Sequence, residues 1–251
     1  MVTNSPNPDD AVAAARAVLA FRYPGARFAI AAGSILRGDG TPTSDIDLVV
    51  VFERLEAAWR EAFIAEGFPV EAFVHDLETL DWFMDQDVDR GAPSIVTMVA
   101  DGRAIGADIA AAQSLQDRAR KTLAKGPLPL ARERLDALRY RITDLVDDLR
   151  GGPPPAEMRA IGAELYQPLA DLMLLGRGTW TGHGKWIPRL LARLDAQLHD
   201  RFDDAFARLA GGMADLVIAL AEDELARHGG RFFAGDRRVA GAGMRRTGPP
   251  A

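Results

Sequence analysis

The sequence predicts an α+β fold, a small α/β domain followed by an all-α helical bundle. Up to about residue 105, short β-rich runs alternate with helical stretches, and beyond it strand signals vanish while long amphipathic stretches follow. The second observation is punctuation: "KGPLP" and "RGGPPPAE" separate the later stretches as linkers. The expected division is 1–106, 107–230 and a tail over 231–251, whose "AGDRRVAGAGMRRTGPPA" is rich in Gly, Pro and Arg and reads as disordered.

In chain order, "AVAAARAVLAF" reads as helix, "RFAIAAGS" and "DIDLVVVF" as strands, "LEAAWREAFIAEG" as helix and "PVEAFVH" as strand. A helical stretch and an edge strand around "GRAIG" complete the first domain. The stretches "ADIAAAQSLQDRARKTLA", "PLARERLDALRYRITDLVDDLR", "AEMRAIGAELYQPLADLMLLGR", "WIPRLLARLDAQL" and "RFDDAFARLAGGMADLVIALAEDELARHG" follow. Each carries an apolar stripe that must be covered, so they are expected to pack as a bundle.

Composition limits the function classes. With 251 residues, a formal net charge of -6 and a pI near 5.3, the chain lacks the general basic surface of a nucleic-acid binder. The absence of cysteine excludes disulfides and thiol-based metal or nucleophile chemistry. "MVTNSPNPDD" has neither a basic n-region nor an apolar h-region, and no run of about eighteen apolar residues occurs, so the expectation is a cytoplasmic protein with no membrane partner.

Within "AAGSILRGDGTPTSDIDLVVVFE", residues 31–53, Asp45 and Asp47 stand at the mouth of an apolar strand. Residues two apart in a strand share a face, so the two carboxylates project side by side. Held that close they repel, unless a cation sits between them; Mg²⁺ with its preference for oxygen ligands and substrate phosphates suits the pair. Solvated acids at a strand end are the alternative. Gly33 and Ser34 follow "FAIAA", where a glycine lets backbone N–H groups and the Ser34 hydroxyl approach phosphate oxygens. Glu71 interrupts the next strand, and if that strand lies beside the aspartates it faces the same spot as a third acid. Three acids beside a phosphate-holding turn make a metal-assisted phosphoryl-transfer site, with Glu71 as general base on an attacking hydroxyl. His75 and Asp76 lie close enough to be the polar groups that matter instead.

"GSILRGDGTPTSDIDLVVVF" followed by "VEAFV" resembles the nucleotidyltransferase superfamily of the polymerase-β type. Within it the chain looks most like the bacterial branch that pairs a small mixed-sheet catalytic domain with a helical C-terminal domain and includes the aminoglycoside nucleotidyltransferases. The resemblance implies that Asp45 and Asp47 are metal ligands and catalytic with Glu71, and that Gly33 and Ser34 hold a triphosphate. It places Arg37 in the basic position of "GSxxRG" and Ser44 just before the acids. It also implies Mg²⁺ as cofactor, an NTP as co-substrate with ATP the expected one, and a hydroxyl-bearing acceptor that receives the nucleoside monophosphate as pyrophosphate leaves. That acceptor is an aminoglycoside-like small molecule or a protein side chain. The alternative is a non-catalytic nucleotide-binding or antitoxin-like interaction module.

In the helical half, "GRGTWTGHGKWIPRLL" compresses Trp180, His183, Lys185, Trp186 and Arg189 into one segment. Lys185 is a candidate for reaching the triphosphate, and Trp180 or Trp186 for stacking on a ring, against the plainer reading of a helix start with a core tryptophan. The resemblance makes a cleft between the domains the expected active site. Glu164 and Asp171, on one helical face, either bind a cationic acceptor or satisfy Arg139 or Arg141. Asp81, Asp85, Asp87 and Asp89 lack the glycine and glutamate of a calcium loop and read as a solvated acidic helix end. Arg193 and His199 have an Arg-x5-His spacing that arises easily by chance. An exposed stripe on a bundle helix could make a homodimer.

Overall fold

A computed structural model of the chain describes residues 7–239 and 241. It has two compact units: the described part of 1–128 joined by 178–182, and residues 129–177 with the described part of 183–251.

The first unit opens with α1 (Pro8–Arg22), whose N-terminal N–H groups are met by the Asn7 side chain and by Asp9 and Asp10 in the first turn. Then come β1 (Phe28–Ala32), β2 (Ile46–Phe52), β3 (Trp59–Ala65) and β4 (Phe68–Asp76), followed by α2 (Leu77–Arg90), α3 (Ser94–Asp101), β5 (Arg103–Gly106) and α4 (Ile109–Lys125). The described strands form one mixed sheet in the order β3-β4-β2-β1-β5. β2 and β4 run parallel, and the other neighbours run antiparallel. The alternating side chains of β1, β2 and β4 divide into two cores. Ala29, Ala31, Leu48, Val50, Ala72 and Val74 pack with α1, while Phe28, Ile30, Val49 and Val51 pack with residues of α2, α3 and α4.

Two sequence expectations change here. The helix expected over "LEAAWREAFIAEG" is a strand: Trp59–Ala65 pairs with β4 through a two-residue turn at Glu66 and Gly67, both at positive φ, as a type I′ hairpin turn needs. Ala, Glu and Arg favour helix locally, but pairing with an already formed strand decides the matter. Further on, α4 does not join the bundle. Ala112, Leu115 and Ala119 are buried against the sheet side, so the first unit extends past residue 106 to Leu128.

The second unit contains α5 (Arg132–Arg150), α6 (Pro155–Leu175), α7 (Trp186–Leu194), α8 (Ala196–Ala210) and α9 (Asp215–Arg227) around one core that includes Ile142, Leu165, Leu169, Leu191, Phe202 and Val217. The stretch read as one long helix breaks at Gly211 and Gly212, the latter at φ +91°. The start of the expected tail is packed rather than disordered. Phe232 donates its N–H to Thr143 Oγ1 at 3.1 Å, and Phe233 stacks on Tyr140 at 5.7 Å between centroids. Of the segment expected to be disordered, residues 240 and 242–251 lie outside the described residues. Among the described residues no helix is long and apolar enough to cross a membrane.

Candidate active site

The site is built where β1, β2 and β4 end side by side. β2 and β4 are in parallel register with Asp47 opposite Glu71, and Ala32, the last residue of β1, is opposite Asp47 on the other side. Asp45 precedes β2 by one residue. One carboxylate oxygen from each of Asp45, Asp47 and Glu71 lies within 4.8 Å of the others, and all three residues are half-buried. Such an all-oxygen donor set fits a hard divalent cation.

Gly33 makes this convergence possible. Its φ is +107°, and a β-carbon there would stand 3.0 Å from the Asp45 carbonyl and 3.2 Å from Asp47 Oδ2. No side chain fits that approach, which leaves the backbone against the acids. The chain then turns through Ser34–Gly38, closed by Gly38 N–H to the Ile35 carbonyl at 3.0 Å and Asp39 N–H to the Ser34 carbonyl at 2.9 Å. Ser34, 8% exposed, donates its hydroxyl to Ser44 Oγ at 2.9 Å, and Ser44 Oγ also accepts from the Thr41 N–H at 2.9 Å. The Gly33–Ser34 turn and the segment leading into Asp45 are thereby tied together. Arg37 is exposed on the turn.

Arg60 of β3 is a residue that sequence reasoning missed, because its segment was read as helix. Its guanidinium forms an ion pair with Glu71 and lies 5.9 Å from the Phe73 ring centroid. The signal was present in the Glu66-Gly67 turn pair ahead of an alternating strand.

The neighbours of Glu71 take different parts. Asp76 is the N-cap of α2. It accepts from Thr79 N–H at 2.8 Å and from Leu55 N–H at 3.0 Å, and these bonds hold its carboxyl below the usual range. His75, 3% exposed, has a buried Nδ1 with no hydrogen-bond partner, and burial pushes its pKa down, favouring the neutral ring, though Asp76 opposes that.

The remaining candidates are accounted for one by one. Lys185 is an exposed residue of the second unit, at the N-cap of α7. Trp180 belongs to the first unit and donates its indole N–H to the Leu123 carbonyl at 3.0 Å. Trp186 lies under Arg189 and Arg193, at 5.4 and 6.0 Å from its ring. Glu164 pairs with Arg141, and Asp171 accepts from Gln167 at 2.9 Å. Arg193 and His199 fall on different helices, α7 and α8, either side of Asp195.

The acidic helix end needs correcting. Asp87 is 1% exposed rather than solvated, and accepts from the Ile95 and Val96 N–H groups at 2.6 and 3.3 Å. Burial raises its pKa against these bonds. Asp81 pairs with Arg118.

Residues 13–99 match the nucleotidyltransferase domain family. No curated protein is matched. Among solved structures, the chain is similar to a nucleotidyltransferase-like protein from Exiguobacterium sibiricum 255-15, with 13% identity, a TM-score of 0.43 and coverage of 86% of this chain and 76% of that one. The match to the nucleotidyltransferase domain family thus takes in the later part of α1, the Gly33–Ser34 turn, the acid triad and β4.

Proposed function

We propose that the chain transfers a nucleoside monophosphate from an NTP to a hydroxyl of a small-molecule or protein acceptor, with Mg²⁺ and with ATP as the expected donor. The observation that carries this is the convergence of three carboxylates within 4.8 Å beside a backbone turn that admits no side chain.

Asp45 and Asp47 would hold the cation, which when bound neutralises charge on the triphosphate at the reacting phosphorus. Backbone N–H groups after Gly33 and the Ser34 hydroxyl hold phosphate oxygens. Glu71 takes the proton from the acceptor hydroxyl. The oxygen so freed forms a bond to the α-phosphorus, the bond from that phosphorus to the β-phosphate oxygen breaks, and pyrophosphate leaves with the electron pair. Arg37 adds positive charge on the departing side.

One observation favours a second reading, a nucleotide-binding module without turnover: Arg60 occupies Glu71 in this structure. Calorimetric titration of each NTP, with and without Mg²⁺, into the wild type and an Asp45→Asn, Asp47→Asn double variant tests the site, and pyrophosphate release separates the readings. Metal-dependent binding lost in the variant, with release on adding an acceptor, supports transfer. Binding without any release would favour the module, and no binding at all would end both.

A further inference from the structure

A cavity of about 250 Å³ opens on the face of the sheet that carries the acids, lined by Trp59, Arg60, Phe73, His75, Phe83 and Ile95. It shares a sheet face with the triad: Glu71, Phe73 and His75 follow one another on one face of β4. Arg60 joins the two, touching Glu71 on one side and lining the cavity on the other.

Its position relative to the phosphates gives it a meaning. The phosphate-holding turn follows β1, on one flank of β2, while the cavity lies over β4 and β3, on the opposite flank. In phosphoryl transfer the attacking and leaving oxygens are in line. With pyrophosphate departing toward the β1 flank, the acceptor oxygen must arrive from the Glu71 flank, where the cavity is.

We infer that this cavity seats the acceptor, and that the acceptor is a neutral or anionic small molecule carrying a flat apolar ring, with its hydroxyl at Glu71. This rests on the transfer reading given above. The walls supply the chemistry. Phe73 and Phe83 offer aromatic faces for a ring, whereas the Trp59 indole lies on the other face of β3, where it donates to Glu61 at 3.2 Å. His75, almost wholly buried with its Nδ1 unpartnered, offers one hydrogen bond to a polar edge of that ring, a group that otherwise stays unsatisfied at a cost. The lining offers a polycationic sugar no acidic side chain, and its one cation, Arg60, is already paired with Glu71. The volume lies below the roughly 300–1,000 Å³ of drug-sized pockets, so it takes one ring or a fused pair and not a whole aminoglycoside. The aminoglycoside-like acceptor suggested by resemblance is therefore the disfavoured one. In the reaction the ring-bearing hydroxyl loses its proton to Glu71 and gains the nucleoside monophosphate.

The test uses the full chain and three probes: indole, 2-naphthol and the aminoglycoside kanamycin. Heteronuclear NMR follows the His75 and Phe83 rings, which meet at 5.1 Å between centroids, and Mg–ATP binding is measured by calorimetry on the same samples. The expected result is saturable shifts of both reporters with indole and 2-naphthol and none with kanamycin. Phe83→Leu, which keeps bulk and removes an aromatic wall, should weaken ring binding about tenfold as read at His75. Phe73→Leu, at a half-buried position, provides a second check. Mg–ATP binding without ring binding in the cavity overturns the inference and leaves the transfer reading intact. Kanamycin shifting the same reporters overturns the assignment of acceptor class. Ring binding without Mg–ATP binding at the triad removes the transfer reading, and the acceptor role with it.

Discussion

If the three acids are gathered for a cation, they must repel one another when it is absent, and relieving that repulsion should stabilise the protein. Asp45→Asn tests this. At 4.8 Å or less, one neighbouring charge costs at least about 0.9 kcal/mol even at the dielectric constant of water. Glu71 is compensated by Arg60, so the gain is counted from the Asp45–Asp47 pair alone and is expected to be about 1 kcal/mol. For a chain of this size that is a rise in Tm of about 2–4 °C. Differential scanning calorimetry in EDTA reads it directly. With Mg²⁺ and a non-hydrolysable nucleotide at a hundredfold excess over Kd, the wild type should gain about 2.7 kcal/mol and the variant almost none, so the order of the two melting curves reverses. A variant that melts below the wild type in EDTA would show that the acids are not strained against each other. A ligand-induced gain surviving in the variant would show that Asp45 holds no cation.

Three further outcomes are expected. Gly33→Ala places a methyl against the Asp45 carbonyl and Asp47 at a φ of +107°, and should lower the urea-derived stability by about 1–3 kcal/mol while abolishing nucleotide binding. Arg60→Gln frees Glu71 from its exposed ion-pair partner. Mn²⁺ binding read by electron paramagnetic resonance should tighten about two- to fivefold, and weaker binding would mean that Arg60 helps assemble the site. In the second unit, Glu224 is 2% exposed and accepts from Arg177 at 2.6 and 2.8 Å and pairs with His228 at 3.0 Å. Burial pushes its carboxyl up, but the Arg177 and His228 partners outweigh that and hold it below the usual range. Its contribution is thus present above the unfolded carboxylate pKa of about 4.3 and is lost as pH falls through the lower folded value. Glu224→Gln should cost about 3 kcal/mol near neutrality, with the gap to wild type closing in acid; a gap independent of pH would refute the ionised pairing.

The readable part of the site was the part governed by strand periodicity. Asp45 and Asp47 share a face because they are two residues apart, and Glu71 reaches them because the parallel register sets it opposite Asp47. β3 was misread because Trp59–Ala65 has helix-favouring residues, and only its pairing with β4 makes it a strand. Arg60 and the aromatic cavity were lost with it. Asp87 illustrates the same limit. Among four acids nothing local singles it out, yet α3 follows Pro93, which offers no side-chain cap, and the fold supplies Asp87 to its free N–H groups. Capping from a distance is a tertiary fact that no short window of sequence contains.

The first unit is discontinuous in sequence. Residues 178–182 return to it, where Thr181 N–H donates to the Gly91 carbonyl at 2.8 Å and the Trp180 indole N–H to the Leu123 carbonyl at 3.0 Å. On the ribosome, then, the first unit is not finished when residue 128 emerges; it waits until α5 and α6 of the other unit have been synthesised. A gene fragment ending at 128 would leave the Gly91 and Leu123 carbonyls without these donors, and recombination at a single junction after residue 128 would exchange the strap along with the helices.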